Sequence, residues 1–371
     1  MMENKKMRLC ICGGGGLGHT IAGIVGENQQ YEVNILTGKP QQWKKEIQVL
    51  DCNNKTIKAT LHKISSDPQD VIPQSDVVLF CLPGFMMEET LTKIKPYLTS
   101  SHRVGTVVSS TGFFLQAFKI LPSNVGLFGF LRVPFIARVN EYGKSAFLLG
   151  YKNKLQLATK NINQETEFLT LLASAFQTPI EKYRNFWEVT LSNSNPILHP
   201  ARLYSLFKDY DRKQTYTKHF LFYEEWDDES SDLLIQCDNE FQQIVEKLPI
   251  RNHIIPPILE YYESFDPPSL TRKIRSIKAF KGLKAPMIQK DNTFIPDFNN
   301  RYFTEDFPYG LVILKSIAEN VGVATPTIDK ILLWGQRMMN KEYLKNSLLI
   351  GKDIQSTAYV SRDEFSNIIH T

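Results

Sequence analysis

At 371 residues the chain is too long for one ordinary core and too short for three, so two domains of unequal type are expected. Hydrophobic residues at 42% and charged residues at 22% match ordinary soluble usage and exclude disorder as the main state. The 43 Lys and Arg against 39 Asp and Glu leave a net +4, too mild and too dispersed to make nucleic acid the main ligand, so small molecules are expected instead.

The first third alternates short apolar runs with helical patterns. Strands are expected over Met7–Cys12, Tyr31–Leu36, Ile57–Ile64, Asp76–Leu82 and Arg103–Ser109. Runs such as Asp76-Val77-Val78-Leu79-Phe80 suit a parallel sheet covered on both faces, which makes this part an α/β, doubly wound Rossmann-like domain. An amphipathic helix is expected over Glu165–Gln177, and from about Tyr183 helical periodicity dominates. The boundary therefore falls near residue 182, with a dinucleotide-binding domain over 1–182 and an all-helical domain over 183–371. In the second domain Pro308 opens a run through Leu311, Leu314, Ile317 and Ala318 that Gly322 stops. Thr325-Pro326 then supplies an N-cap and a first-turn proline to a helix reaching Met339.

Five scattered cysteines, Cys10, Cys12, Cys52, Cys81 and Cys237, form no disulfide framework and no metal-ligand pattern, and they suit a reducing cytoplasm. The N-terminal MMENKKMRLCIC reaches glycine before a signal-peptide apolar region develops. Val77 to Met87, the longest apolar stretch, breaks at Pro83-Gly84, far short of the roughly 18 residues a membrane helix needs. Neither export nor a membrane span is expected.

Gly13-Gly14-Gly15-Gly16-Leu17-Gly18 carries the spacing G-x-G-x-x-G directly after the first strand. Gly13 permits the tight turn, Gly15 lets backbone approach a pyrophosphate, and Gly18 lets the following helix pack close to the strand. Gly16 and Leu17 start that helix, whose unpaired amides and dipole favour an anion. A flexible glycine turn without ligand is the bland alternative, and the strand before with the Ala/Ile/Val-rich helix after speak against it. An acid about 20 positions past the loop normally holds the ribose 2′-hydroxyl of NAD. Here the chain reads Leu36-Thr37-Gly38-Lys39, with Lys44 and Lys45 beyond and no acid between Val33 and Lys45. That pattern favours NADP over NAD, with Thr37 and Lys39 as cofactor contacts, although Lys44 and Lys45 also fit a solvated helix start. Pro83, closing another strand, either lines the cofactor cleft or simply makes a turn.

Two features stand out in the second half. Asn195-Pro196-Ile197-Leu198-His199 would put an amide and an imidazole on one helix face, but Pro200 is expected to kink or disrupt that helix. His199 is the general acid/base candidate, against the commoner role of a core histidine. Arg301-Tyr302-Phe303-Thr304-Glu305-Asp306-Phe307-Pro308 offers Arg301 as a fork for a carboxylate and Asp306 as a partner for His199. Residues alone leave open a surface ion pair with helix-terminal charge at Glu305 and Asp306.

The glycine loop followed by His19, Asn-Pro-x-x-His at 195–199, and Arg-x-x-x-Glu-Asp-x-Pro at 301–308 together resemble the octopine/nopaline (opine) dehydrogenase family over nearly the whole chain. The resemblance implies a dinucleotide domain joined to an all-helical substrate domain. It also implies an NAD(P)-dependent oxidoreductase that condenses an amino acid with a 2-keto acid through an imine and hydride transfer. It makes His199 the proton donor/acceptor, Asp306 its partner, Asn195 a helper and Arg301 a carboxylate contact, with Gln116 and Glu141 as fainter substrate contacts. The loop departs from octopine-type members, which often show Asn-Gly-Ala where this chain has Gly16-Leu17-Gly18. Two other readings stay open: a 2-keto acid reductase with no amine partner, and a non-catalytic dinucleotide sensor. A homodimer is left open.

Overall fold

The computed structural model describes residues 6–369. It divides after Thr190 into two compact units. The expected boundary at 182 lies earlier. The reason is local: residues 180–182 still form a strand of the first unit's main sheet, and the rings of Phe186 pack on Phe114 and Phe118 of that unit.

The first unit runs β1 (Met7–Cys12), β2 (Tyr31–Leu36), β3 (Glu46–Asp51), β4 (Thr56–Thr60), β5 (Lys63–Ser65), β6 (Val77–Phe80), β7 (Arg103–Thr106), β8 (Gly126–Phe130), β9 (Phe135–Glu141), β10 (Ser145–Tyr151), β11 (Leu155–Lys160) and β12 (Ile180–Lys182). Eight of these form one sheet in the order β12-β11-β8-β7-β6-β1-β2-β5. All its neighbouring pairs are parallel except β11 against β8. The central strands read as unbroken apolar runs because both faces are covered, and all four residues of β6 are buried. Strand order reverses at β1, which lies between β2 and β6. In doubly wound sheets the ligand crevice opens beyond the carboxyl ends at such a switch point. Gly13 and Cys81 stand there.

The run Ile57–Ile64, expected as one strand, is two. β4 and β5 belong to different sheets, and the chain bends between them where the Leu61 amide bonds Lys45 (2.7 Å) and the His62 amide bonds Val33 (2.8 Å). The second sheet, in the order β4-β3-β10-β9, was not anticipated. β3 alternates exposed and buried residues, and the buried face lies on the Gly16–Glu27 helix. A side chain at Gly23 would come within 2.4 Å of Val49, so the close approach needs glycine.

The second unit is built mainly from the helices Asn195–Phe207, Asp228–Val245, Pro267–Ser276, Val312–Val321, Pro326–Met338 and Arg362–Ile368. It also carries one antiparallel hairpin, β13 (Met287–Lys290) with β14 (Thr293–Pro296), which amends the all-helical expectation. Pro200 does not break its helix: it forfeits one intrahelical hydrogen bond, and the helix runs on to Phe207 with residues 196–203 buried. Gly322 ends the Val312–Val321 helix at φ 74°, the left-handed stop expected of it. Among the described residues no helix is long and apolar enough to cross a membrane.

Candidate active site

In the first unit the glycine loop leaves β1 at Gly13, whose φ of 121° disfavours a side chain, and whose added Cβ would lie 2.6 Å from the Cys81 carbonyl. An added Cβ on Gly18 would lie 2.2 Å from the Gly13 carbonyl, which fixes the contact of helix on strand. Gly15 is exposed and nothing lies within 4 Å of the position a Cβ would take, so the backbone has room for a ligand. The Gly16–Glu27 helix has no side-chain cap and no acid in its first turn, leaving its first amides for an anion. These features fit a dinucleotide pyrophosphate. Leu17, by contrast, is half-buried against the apolar core, so its part is packing.

Beside the loop lies a cavity of about 340 Å³ lined by Gly13, Gly14, Thr37, Lys39, Leu82 and Tyr142, among others. Leu82 rather than Pro83 reaches it; Pro83 precedes the 3-10 turn Gly84–Met86. The Lys39 ammonium stands 5.8 Å from the centre of the Tyr142 ring, and the Thr37 and Tyr142 hydroxyls are 3.3 Å apart. Lys44 and Lys45 are exposed and do not line this cavity.

Sequence reasoning missed Tyr142 and what holds it. His19 Nε2 accepts a hydrogen bond from the Gly143 amide (2.7 Å), and Nδ1 lies 3.0 Å from the Gly15 carbonyl. The carbonyl can only accept and the amide can only donate, so the ring is neutral with its proton on Nδ1. Burial lowers the imidazole's proton affinity, against the opposing pull of the Gly15 carbonyl. The ring also stacks on Trp43 at 4.1 Å. His19 thus ties the glycine loop to the turn between β9 and β10 that presents Tyr142. The only earlier signal was its place directly after Gly18.

In the second unit the structure brings His199 and Asp306 together, across 107 residues of sequence, with Nδ1 of His199 2.8 Å from Oδ2 of Asp306. His199 Nε2 lies 2.9 Å from the Tyr223 hydroxyl, and Tyr302 stacks on the ring at 4.2 Å and 20°. His199 is 6% exposed. Asn195 starts the same helix one turn before it, with Ser194 rather than Asn195 in the cap position. Arg301 begins the short helix Arg301–Thr304 and is exposed, while burial pushes the adjacent Tyr302 hydroxyl above the ordinary tyrosine range against a smaller opposing pull from the Arg301 charge. Asp306 is held by His199 and not by Arg301, while Glu305 is buried, so this segment is not the surface ion pair its composition allowed. Burial, followed by the neighbouring Tyr302, pushes the Tyr223 hydroxyl well above the ordinary tyrosine range. Such a hydroxyl stays protonated and donates to Nε2, while Nδ1–H donates to the carboxylate. No sequence signal singled out Tyr223, which sits in an aromatic run, Phe220-Leu221-Phe222-Tyr223, of no fixed period.

Of the fainter candidates, Gln116 is buried on the helix Phe113–Ile120 with no hydrogen-bond partner at Oε1. Glu141 is exposed and ion-paired with Lys144. Among the described residues no three His, Cys, Asp or Glu side chains converge to hold a metal.

Comparison with known proteins matches residues 182–339 to the alpha-helical domain of NAD/NADP octopine/nopaline dehydrogenase, and residues 8–125 to the N-terminus of NAD-dependent glycerol-3-phosphate dehydrogenase. The chain is 30% identical to tauropine dehydrogenase of Arabella iricolor, over 97% of this chain and 98% of that one. It is 29% identical to octopine dehydrogenase of Pecten maximus, over 98% of each. A solved octopine dehydrogenase with NADH and pyruvate superposes with a TM-score of 0.86 at 27% identity, covering 95% of this chain and 94% of that one. At 14% identity and a TM-score of 0.73, yersinopine dehydrogenase with NADP+ shares the fold.

Proposed function

The chain belongs to the octopine/nopaline (opine) dehydrogenase family and is an NAD(P)-dependent oxidoreductase acting on CH–NH donors, and we propose that His199 carries the proton work of its reductive condensation. An amino acid's α-amine adds to the carbonyl of a 2-keto acid, water leaves to give an imine, and reduction of that imine yields a secondary-amine dicarboxylate. The observation that carries the reading is the pairing of buried His199 with half-buried Asp306 at 2.8 Å, reached from two distant sequence motifs. Asp306 fixes the tautomer and stabilises the imidazolium, leaving Nε2 as the nitrogen that takes and returns the proton. Arg301 is the carboxylate fork, Asn195 a helper one helical turn from His199, and Gln116 a contact for the keto acid. The cofactor supplies hydride, and the chain's part is to hold it on the amides after Gly13, Gly15 and Gly18 with Thr37 and Lys39 beside the adenosine ribose.

The test is direct. Protein, reduced cofactor and pyruvate are mixed with and without pooled amino acids, and absorbance of the reduced cofactor is followed. Oxidation that requires an amine is the expected result. Oxidation without one would replace this reading by a simple keto acid reductase, and cofactor binding with no oxidation by a sensor.

NADP over NAD is our reading of Lys39 beside the cavity and of the missing acid after β2. Lys39→Ala is expected to weaken NADP+ binding about tenfold, the loss of one charge-assisted contact, while NAD+ binding changes less than about twofold. Titration calorimetry with both cofactors measures this, and an equal loss for both would remove Lys39 from the 2′ position. We place the enzyme in the cytoplasm, which suits its free thiols, three of them buried.

A further inference from the structure

His199 has no ring nitrogen to spare. Nδ1 is held by Asp306 at 2.8 Å and Nε2 by the Tyr223 hydroxyl at 2.9 Å. Tyr302 covers a ring face at 4.2 Å, and Phe222 stands edge-on at 5.7 Å. Both His199 and Tyr223 are buried, at 6% and 4% exposure. The nitrogen that must exchange a proton with substrate therefore meets a tyrosine hydroxyl.

We propose that Tyr223 is a proton relay: the proton of His199 Nε2 reaches the reacting substrate through the Tyr223 hydroxyl. This rests on the reading of His199 as the acid–base residue. In the condensing direction the carbinolamine formed from amine and keto acid loses its hydroxyl. His199, made an imidazolium by the proton it has taken from the amine, now donates Nε2–H to the tyrosine oxygen. The Tyr223 proton moves to the carbinolamine hydroxyl, the Nε2 proton replaces it on Tyr223, the C–O bond breaks, and the nitrogen lone pair closes the C=N bond of an iminium that carries the positive charge. Water leaves, and His199 and Tyr223 both end neutral. The paired transfer avoids a free phenolate, which burial makes costly at this position. The Tyr302 ring lies on the imidazole at 4.2 Å and holds its plane.

The experiment compares single-turnover oxidation of reduced cofactor by the wild type, Tyr223→Phe and His199→Gln, with cofactor affinity measured by calorimetry as a check on folding. The relay predicts that Tyr223→Phe slows turnover by about ten- to a hundredfold, in the range of a lost proton-transfer group, with cofactor affinity and keto acid KM held within about threefold. It also predicts that the solvent deuterium inventory, curved in the wild type because two protons move together, becomes linear in the variant. Unchanged or faster turnover in Tyr223→Phe, with His199→Gln inactive, would overturn the relay and leave Tyr223 as a cap that swings away. Full activity in His199→Gln would instead overturn the parent reading. Should Tyr223→Phe fold poorly, a ring-fluorinated tyrosine at 223 decides: a relay changes rate with the acidity of the hydroxyl, and a cap does not.

Discussion

Replacing His199 with Ala is expected to lower turnover by about a hundredfold or more while cofactor affinity stays within about twofold of the wild type. The imidazole belongs to the second unit, whereas the glycine loop and the cavity beside it belong to the first, so the variant leaves the cofactor's own contacts in place. It strands two partners, the half-buried Asp306 carboxylate and the buried Tyr223 hydroxyl, and leaving a buried polar group unpaired costs roughly 1–3 kcal/mol. Asp306→Asn separates that instability from chemistry. The amide keeps the shape but cannot hold Nδ1–H as a carboxylate does, so turnover should fall at least tenfold at nearly unchanged melting temperature. Stopped-flow rates beside calorimetric affinities measure both variants. Turnover within threefold of wild type in His199→Ala would remove the imidazole from the mechanism.

Gly13→Ala should be as damaging, and by a different route. At φ 121° a side chain is strained, and its Cβ would sit 2.6 Å from the Cys81 carbonyl, where β1 meets the end of β6. The Gly13 amide also bonds Leu36 at the end of β2 (3.1 Å), so the loop cannot shift without loosening that strand. Strain and overpacking together predict a loss of roughly 2–5 kcal/mol of stability and at least a tenfold weaker cofactor complex. Gly15→Ala is the control. Nothing lies within 4 Å of its added Cβ, so the fold should tolerate it, and a loss of cofactor affinity there reports contact with the ligand itself. Thermal unfolding and calorimetry of the two variants distinguish the cases. Equal stability for both would contradict the strained turn at Gly13.

What was legible in the sequence follows from which interactions are local. The glycine loop, the strands around the switch point and the helix stop at Gly322 are each written in a few adjacent residues. The Asp306 partner of His199 was found only because two motifs matched a family pattern, since nothing within either segment points across 107 residues. The second sheet escaped even though Glu46–Asp51 alternates cleanly, because its partners β4, β9 and β10 come from separate stretches. Pro200 misled in the opposite direction: burial along its helix outweighs one missing hydrogen bond. Tyr223 and Tyr142 were invisible because each is placed by a contact with a remote histidine and not by its own neighbours.

Incubating the protein with pyruvate, a nitrogen-15 amino acid mixture and reduced cofactor carrying deuterium at its transferable position, then weighing the products by mass spectrometry, follows both reacting bonds at once. One secondary-amine dicarboxylate bearing deuterium on the former keto carbon together with the nitrogen label is the predicted product. Deuterium found only in a 2-hydroxy acid without the nitrogen label would contradict it.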